Sequence, residues 1–449
     1  MKKVCFYLLL ILGLHLIILN LLQFTAWPEM ISFPYFLNHG FINYSDMVHA
    51  YPPLLVVLLS VVYKIFGYKL IALEIFGWIG FLVNDFLIFL ILKKLTKKEY
   101  LAVCGVLVYV FLQPILEGNM VWPDLFMSPF LLGGFLLFLN KRFFLTGLIL
   151  VLAVLTKQTG IFYLGIVGFC LLFKKDVKNI FKYIFGITII ILPFLFSLIM
   201  QTSLKDFINW TIIYPSKYWT KFPGYVQLLP TAREGILLFI LIISILLILT
   251  KSFKQVKRKK EFYLLSSFFL AGIIGFYPRF SFFHLQPAIA FFVILIIYLS
   301  SKINFNYYLL FLIPILVLII NIRSLQFRGS RFWSSDEILA KTVQRDSLQN
   351  KPIYLLGLNS DIYAFSDRFP NKPWLDNFGW YLEIPGVQES VIKSFNTNKP
   401  SAIFWAAPQN GNWYDIGTYQ PKMITDWIKE NYVYTKNISE GVQEWKLKK

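Results

Sequence analysis

A chain of 449 residues that is 57% hydrophobic and only 15% charged falls well below the roughly 25% charge of an ordinary soluble domain. Its Leu, Ile and Phe gather in runs of about 18 or more, long enough to cross a bilayer as helix, so a soluble globular fold is excluded and a polytopic α-helical membrane protein is predicted. The net charge of +19 sits in short lysine clusters between apolar runs, where it sets topology. No basic soluble segment carries interleaved stacking aromatics, so nucleic acid is excluded as a partner.

Taken in chain order, Lys2 and Lys3 place the N-terminus in the cytoplasm ahead of a first span near 4–22. Gln23 to Trp27 offers no small-residue cleavage site, so this span reads as uncleaved. The next segment, Gly40 to Leu54 (GFINYSDMVHAYPPL), carries Asp46 between two apolar runs. The following apolar run, near 71–92, ends on Lys93, Lys94, Lys97 and Lys98, which puts Asp46 outside. The short apolar piece 54–66 lies along the interface or extends the second span.

Spans near 100–116 and 125–139 flank an outer turn, Glu117 to Asp124, and return to Lys141 and Arg142. The run 143–173 is broken by Thr156-Lys157-Gln158-Thr159-Gly160 and reads as two short helices meeting at the outer face. Further spans are expected near 181–200, 234–250, 262–276, 285–300 and 307–322, about eleven in all at the usual span length. Residues 1–324 form the membrane domain, and 325–449 form a second domain outside the cell membrane. Cys5, Cys104 and Cys170 all lie in apolar runs and read as small core residues without a disulfide framework.

The C-terminal region is mixed polar and aromatic. A helix is predicted over 335–348 with Ser334, Ser335 and Asp336 as cap candidates. Buried strands are predicted at 352–357 and 401–405, helices near 387–396 and 421–431, and a last strand at 442–447. The alternation predicts a small α/β domain of about 110 residues.

The lysine topology puts every unusual polar motif on one side: Asp46, Trp122-Pro123-Asp124, the Lys157-Gln158 turn, and Tyr277-Pro278-Arg279 with His284. Such convergence points to an external active site. A carboxylate there suits a general base that activates a hydroxyl, and Lys157, Arg279 and His284 suit a departing phosphate. Each has a structural alternative. Asp46 and Asp124 can cap helices, Lys157 can snorkel, Arg279 can meet a lipid headgroup and His284 can close a helix end. Trp210, Tyr214, Tyr218 and Trp219 suit either sugar stacking or an interfacial belt. His39 and His49, ten residues apart in a loop, give little metal-ligand signal, and there is no Asp-x-Asp pair.

With those residues in view, the chain resembles GT-C superfamily glycosyltransferases, the group of protein O-mannosyltransferases and lipid A aminoarabinose transferase. The likeness rests on Gly40, Tyr44-Ser45-Asp46 and Pro52-Pro53-Leu54 in the first outer loop, Asp124 in WPDLFMSPFLL, Lys157-Gln158 in AVLTKQTG, PRFSFFHLQP from Pro278 to Pro287, and IYLLGLNSDIYAFSDRFP from Ile353 to Pro370. Asp124 stands where relatives often have Glu.

The resemblance implies an inverting transfer of sugar from a polyprenyl-phosphate carrier to an acceptor hydroxyl on a glycan, lipid or protein. It implies no dedicated cofactor and at most a weak dependence on a divalent metal. It implies Asp46 as the base with Asp124 as a second catalytic residue, Lys157, Arg279 and His284 at the donor phosphate, and Tyr44, Gln158 and Trp122 in substrate binding. Two other classes compete, a transporter or scramblase of lipid-linked oligosaccharide and an oligosaccharide ligase or polymerase. A transporter predicts midplane charges and internal repeats, and no clear repeat is visible in the sequence.

Overall fold

The computed structural model describes residues 2–406 and 420–448, with side chains from Phe6 onward. By contact it divides into two compact units. The first comprises Met1–Thr25, Glu74–Phe194 and Gln227–Gly329, and the second Ala26–Leu73, Leu195–Val226 and Ser330–Lys449.

The first unit is helical. Leu70–Thr96, Val177–Met200 and Ala232–Val256 are the helices among the described residues that are long and apolar enough to cross a membrane. Shorter apolar helices include Glu99–Leu112, Pro123–Leu139, Phe143–Thr156, Gly160–Phe173 and Gln286–Ser300. Gln286–Ser300 is apolar on every side and buried along its whole length, as expected of a helix at the centre of a bundle. Glu99–Leu112, Pro123–Leu139, Ala232–Val256 and Lys260–Ile274 pack around it. Ala232–Val256 begins in a reciprocal capping box between Thr231 and Glu234. Pro123–Leu139 opens with proline at its first position, where the missing N–H removes no helical bond.

The run 143–173 breaks where its polar insert predicts. Lys157 leaves the helix in an extended conformation, and the next helix starts at Gly160. A Cβ on Gly160 would press on the backbone of Ala153, so glycine permits the tight return. Cys104 and Cys170 are free and half-buried, packed against the hydrophobic core of the helices, and the side chain of Cys5 lies outside the described residues.

Two glycines let the helices Phe143–Thr156 and Val177–Met200 touch backbone to backbone. A Cβ on Gly147 would overlap the Tyr183 carbonyl, and one on Gly186 would overlap the Phe144 carbonyl. Small residues set such close approaches in membrane bundles. Gly186→Ala is therefore expected to cost about 2–3 kcal/mol through overpacking, measured as a fall in Tm in detergent. An unchanged Tm would show that the helices separate freely.

The second unit holds a four-stranded sheet in the order Ile353–Leu356, Ala402–Ala406, Val442–Leu447, Tyr432–Ser439. The first pair is parallel and the others antiparallel. The helices Trp333–Asp346, Val387–Thr397 and Lys422–Asn431 fall close to their predicted positions. The first of these is not capped by Ser334, Ser335 or Asp336; its cap position is Phe332, with no side-chain cap bond. The short helix Asp361–Ser366, the helix Glu29–Asn38 and the strand Tyr432–Ser439 have no counterpart in the sequence reading. One buried cluster joins Phe36, Phe41 and Met47 of the first loop region to Ile353, Leu355, Trp374 and Phe404, so the loop bearing Asp46 is anchored in the same core as the sheet.

Candidate active site

In the first unit, Asp124 lies in the opening turn of Pro123–Leu139 but does not cap it. Its side chain is fully buried and accepts from Lys157 Nζ at 2.7 Å on Oδ1 and 2.8 Å on Oδ2. His284 Nδ1 meets Oδ2 at 2.9 Å, and Lys157 Nζ also donates to the Gly275 carbonyl at 3.3 Å. Burial holds the His284 imidazole below its ordinary pKa, against the pull of Asp124. The neutral ring then donates Nδ1–H to Asp124 and keeps a lone pair on Nε2.

Trp122 packs edge-on against Phe283 at 5.8 Å. Glu117, in a left-handed conformation (φ 57°) within the kinked segment Pro114–Gly118, accepts from Ser281 Oγ at 2.7 Å and from the Phe283 amide at 3.4 Å. The segment is pinned by Gln113 Nε2, which donates to the Gly118 carbonyl at 2.8 Å. Arg279 is half-exposed and reaches Gln227 Oε1 at 3.5 Å. Gln158 is half-buried in the turn beside Lys157.

Asp124, Lys157, His284 and Trp122 therefore share one neighbourhood. Glu117 and Ser281 belong to it and were missed. The available signal was an isolated acid in the apolar stretch Pro114 to Gly118.

In the second unit, Asp46 closes a tight turn. Its amide and that of Met47 both donate to the Ile42 carbonyl, at 3.0 and 3.3 Å. Tyr44 sits at φ 76°, a left-handed conformation that costs a non-glycine residue about 1–3 kcal/mol and persists where the surroundings impose it. Those surroundings are the Tyr51 carbonyl, which accepts from Tyr44 Oη at 3.0 Å, and the Phe207 ring at 5.1 Å.

Asp46 Oδ2 accepts from the Ile42 amide at 3.1 Å and from Lys372 Nζ at 2.8 Å. Lys372 also donates to the Gly40 carbonyl at 3.2 Å and lies over the Phe41 ring. Both side-chain contacts fall on Oδ2, and Oδ1 takes none from the described residues. Sequence reading missed Lys372 because it stands 326 residues away and no local pattern links the two.

Burial pushes His49 down to about 4, so it is neutral, and His39 Nδ1 bonds to the Tyr35 carbonyl. Trp210 packs edge-on against Tyr214 and Tyr381, and Trp219 against Trp380.

Asp336 and Asp361 form a buried acid pair in this unit. Burial pushes Asp336 up to about 6 and Asp361 well above the carboxylate range, the latter reinforced by Asp336, Glu29 and Asp376. A proton retained between the two carboxyls keeps like charges from facing each other. A raised folded-state pKa means that the folded chain binds more protons than the unfolded one, so stability falls as pH rises from about 4, the unfolded Asp value. Asp361→Asn should therefore raise Tm at pH 7.5 and change it little near pH 4; an equal shift at both pH values would contradict this. Among the described residues, no group of three or more His, Cys, Asp or Glu side chains is arranged to hold a metal ion.

No family model matches the chain, and no curated protein matches it. Solved structures do. The crystal structure of ArnT from Cupriavidus metallidurans bound to undecaprenyl phosphate superposes over 99% of this chain and 98% of its own, with a TM-score of 0.63 at 11% identity. The apo structure of the same protein covers 91% of this chain and 93% of its own, with a TM-score of 0.50 at 12% identity. The fold is that of ArnT.

Proposed function

We propose that the chain is an inverting glycosyltransferase that moves a sugar from a polyprenyl-phosphate carrier to an acceptor hydroxyl at the extracytoplasmic face of the cell membrane. A fold alone assigns no chemistry, so the reading rests on Asp46. Its carboxylate is fixed through Oδ2 by Ile42 and Lys372, while Oδ1 takes no bond from the described residues. A carboxylate oriented through one oxygen and available at the other suits a general base. The likeness over almost the whole chain to a structure that holds undecaprenyl phosphate supports the choice of donor.

In this reaction Asp46 takes the proton of the acceptor hydroxyl as its oxygen attacks the anomeric carbon. The bond from that carbon to the phosphate oxygen breaks, its electron pair leaves with the phosphate, and configuration inverts. Arg279 is assigned to the leaving phosphate through its half-exposed guanidinium. Lys157 and His284 are assigned to the donor phosphate, both held in place by the network that Asp124 organises. Tyr44 shapes the turn that aims Asp46, and Trp122 and Gln158 are assigned to the substrate. The first-loop region and 325–449 are placed outside the cell, the N-terminus in the cytoplasm, and about eleven apolar segments in the bilayer at the usual span length.

Native mass spectrometry of the purified chain with polyprenyl phosphate and with the uncharged polyprenol tests the donor assignment. The phosphate form is expected to be retained in preference, and equal retention would reject it. Single cysteines introduced at positions 46 and 255 should react with impermeant reagent from opposite sides of the membrane; labelling from one side would overturn the topology.

A further inference from the structure

At one end of the first unit's helices lies a cavity of about 270 Å³ lined by Leu19, Asn20, Glu74, Trp78, Arg328 and Gly329. Its walls are built rather than incidental. Gln326 to Gly329 runs against the end of the first helix, with Gln23 N–H donating to the Gln326 carbonyl, Arg328 N–H to Leu21 and Phe24 N–H to Gly329. This strap holds Arg328 in a left-handed conformation (φ 59°), which a non-glycine residue adopts only where neighbours impose it. Buried Asn119 ties the other walls together. Its Nδ2 donates to the carbonyls of Leu19, Leu22 and Gln23, and its Oδ1 accepts from Trp78 Nε1 at 3.1 Å. The Trp78 ring is thereby fixed as a wall. Glu74, one turn earlier, lies on the same helix face.

Glu74 and Arg328 both line this cavity, yet neither side chain makes an ion pair or hydrogen bond with the described residues. A half-buried carboxylate without a donor is poorly solvated and is stabilised by a cationic ligand. The guanidinium opposite matches a phosphate through its planar fork. A tryptophan face beside the carboxylate favours a cation as well. The level in the membrane agrees: Glu74 to Lys93 is 19 residues, about 28 Å of helix, close to the ~30 Å hydrocarbon thickness, so the cavity stands at headgroup depth when the lysines mark the opposite surface.

We infer that this cavity binds a zwitterionic headgroup of the phosphoethanolamine type, with its phosphate on Arg328 and its primary amine on Glu74 against Trp78. The site is separate from the residues assigned to sugar transfer and does not depend on that assignment.

Native mass spectrometry of the full chain in detergent tests it with phosphatidylethanolamine and phosphatidylglycerol at equal concentration. Phosphatidylethanolamine is expected to be retained about tenfold more strongly, the scale of one hydrogen bond to a charged group. Glu74→Gln should abolish that preference with Tm unchanged, because Glu74 bonds to no described residue. Arg328→Gln should weaken both lipids by about tenfold. Displacement by soluble phosphoethanolamine would assign the site to the headgroup alone; a preference that survives the competitor would assign it to a membrane lipid. Equal retention of the two lipids by the unmodified chain, or a full preference in Glu74→Gln, would overturn the proposal.

Discussion

Asp124→Ala is expected to lower stability by about 3–5 kcal/mol, the usual penalty for stranding a buried charge. Asp124 is fully buried, and Lys157 is 5% exposed. Removing the carboxylate leaves the ammonium with only the Gly275 carbonyl, at 3.3 Å, and takes the Nδ1 partner from His284. The loss should appear as a large fall in Tm and in the yield of monodisperse protein. A double change to Asp124→Leu with Lys157→Met should recover most of it, because apolar side chains of similar size can replace a buried pair. The recovered protein also separates fold from chemistry. If Lys157 meets the donor phosphate, the double variant is stable but retains polyprenyl phosphate poorly. A Tm for Asp124→Ala within a degree or two of the unmodified chain would remove the network from the account.

Asp46→Asn should have the opposite profile, with little change in stability and a large loss of transfer. Asn keeps an oxygen for the Ile42 amide, and the Lys372 pair is partly exposed, at 25% for the aspartate side chain and 44% for the lysine. Pairs of that kind are worth about 1 kcal/mol or less. Removing a general base typically slows the chemical step by about 10²–10⁴-fold. Donor retention should persist, because the carboxylate acts on the acceptor proton and not on the lipid phosphate.

The three helices among the described residues that are long and apolar enough to cross a membrane were legible from their apolar runs near 71–92, 181–200 and 234–250. The break at Lys157 was readable from a polar insert ending in glycine, and the helices of the C-terminal region from their periodicity. The helix Glu29–Asn38 was not readable, since Phe33, Pro34 and Phe36 lie in a short aromatic segment with no clean period and a proline in its middle. The strand Tyr432–Ser439 escaped because it follows a helix without a break and carries two bulges that disturb its alternation.

Asp124, Lys157 and His284 were each visible as outliers, but not their mutual bonds, which join residues 33 and 160 positions apart. The partner of Asp46 was further out of reach. Lys372 is one of many lysines in a strongly basic chain, and only the folded core around Phe41 and Trp374 carries it to the first loop.

The most direct test of the central claim is a single-turnover assay with the purified chain in nanodiscs. Radiolabelled polyprenyl-phosphate sugar serves as donor and a membrane glycan and lipid extract as acceptor, with the unmodified chain compared against Asp46→Asn. The unmodified chain is expected to release free polyprenyl phosphate and label an acceptor, while Asp46→Asn binds the donor but transfers at least about 10²-fold more slowly. Transfer at the unmodified rate by a folded Asp46→Asn protein would contradict it.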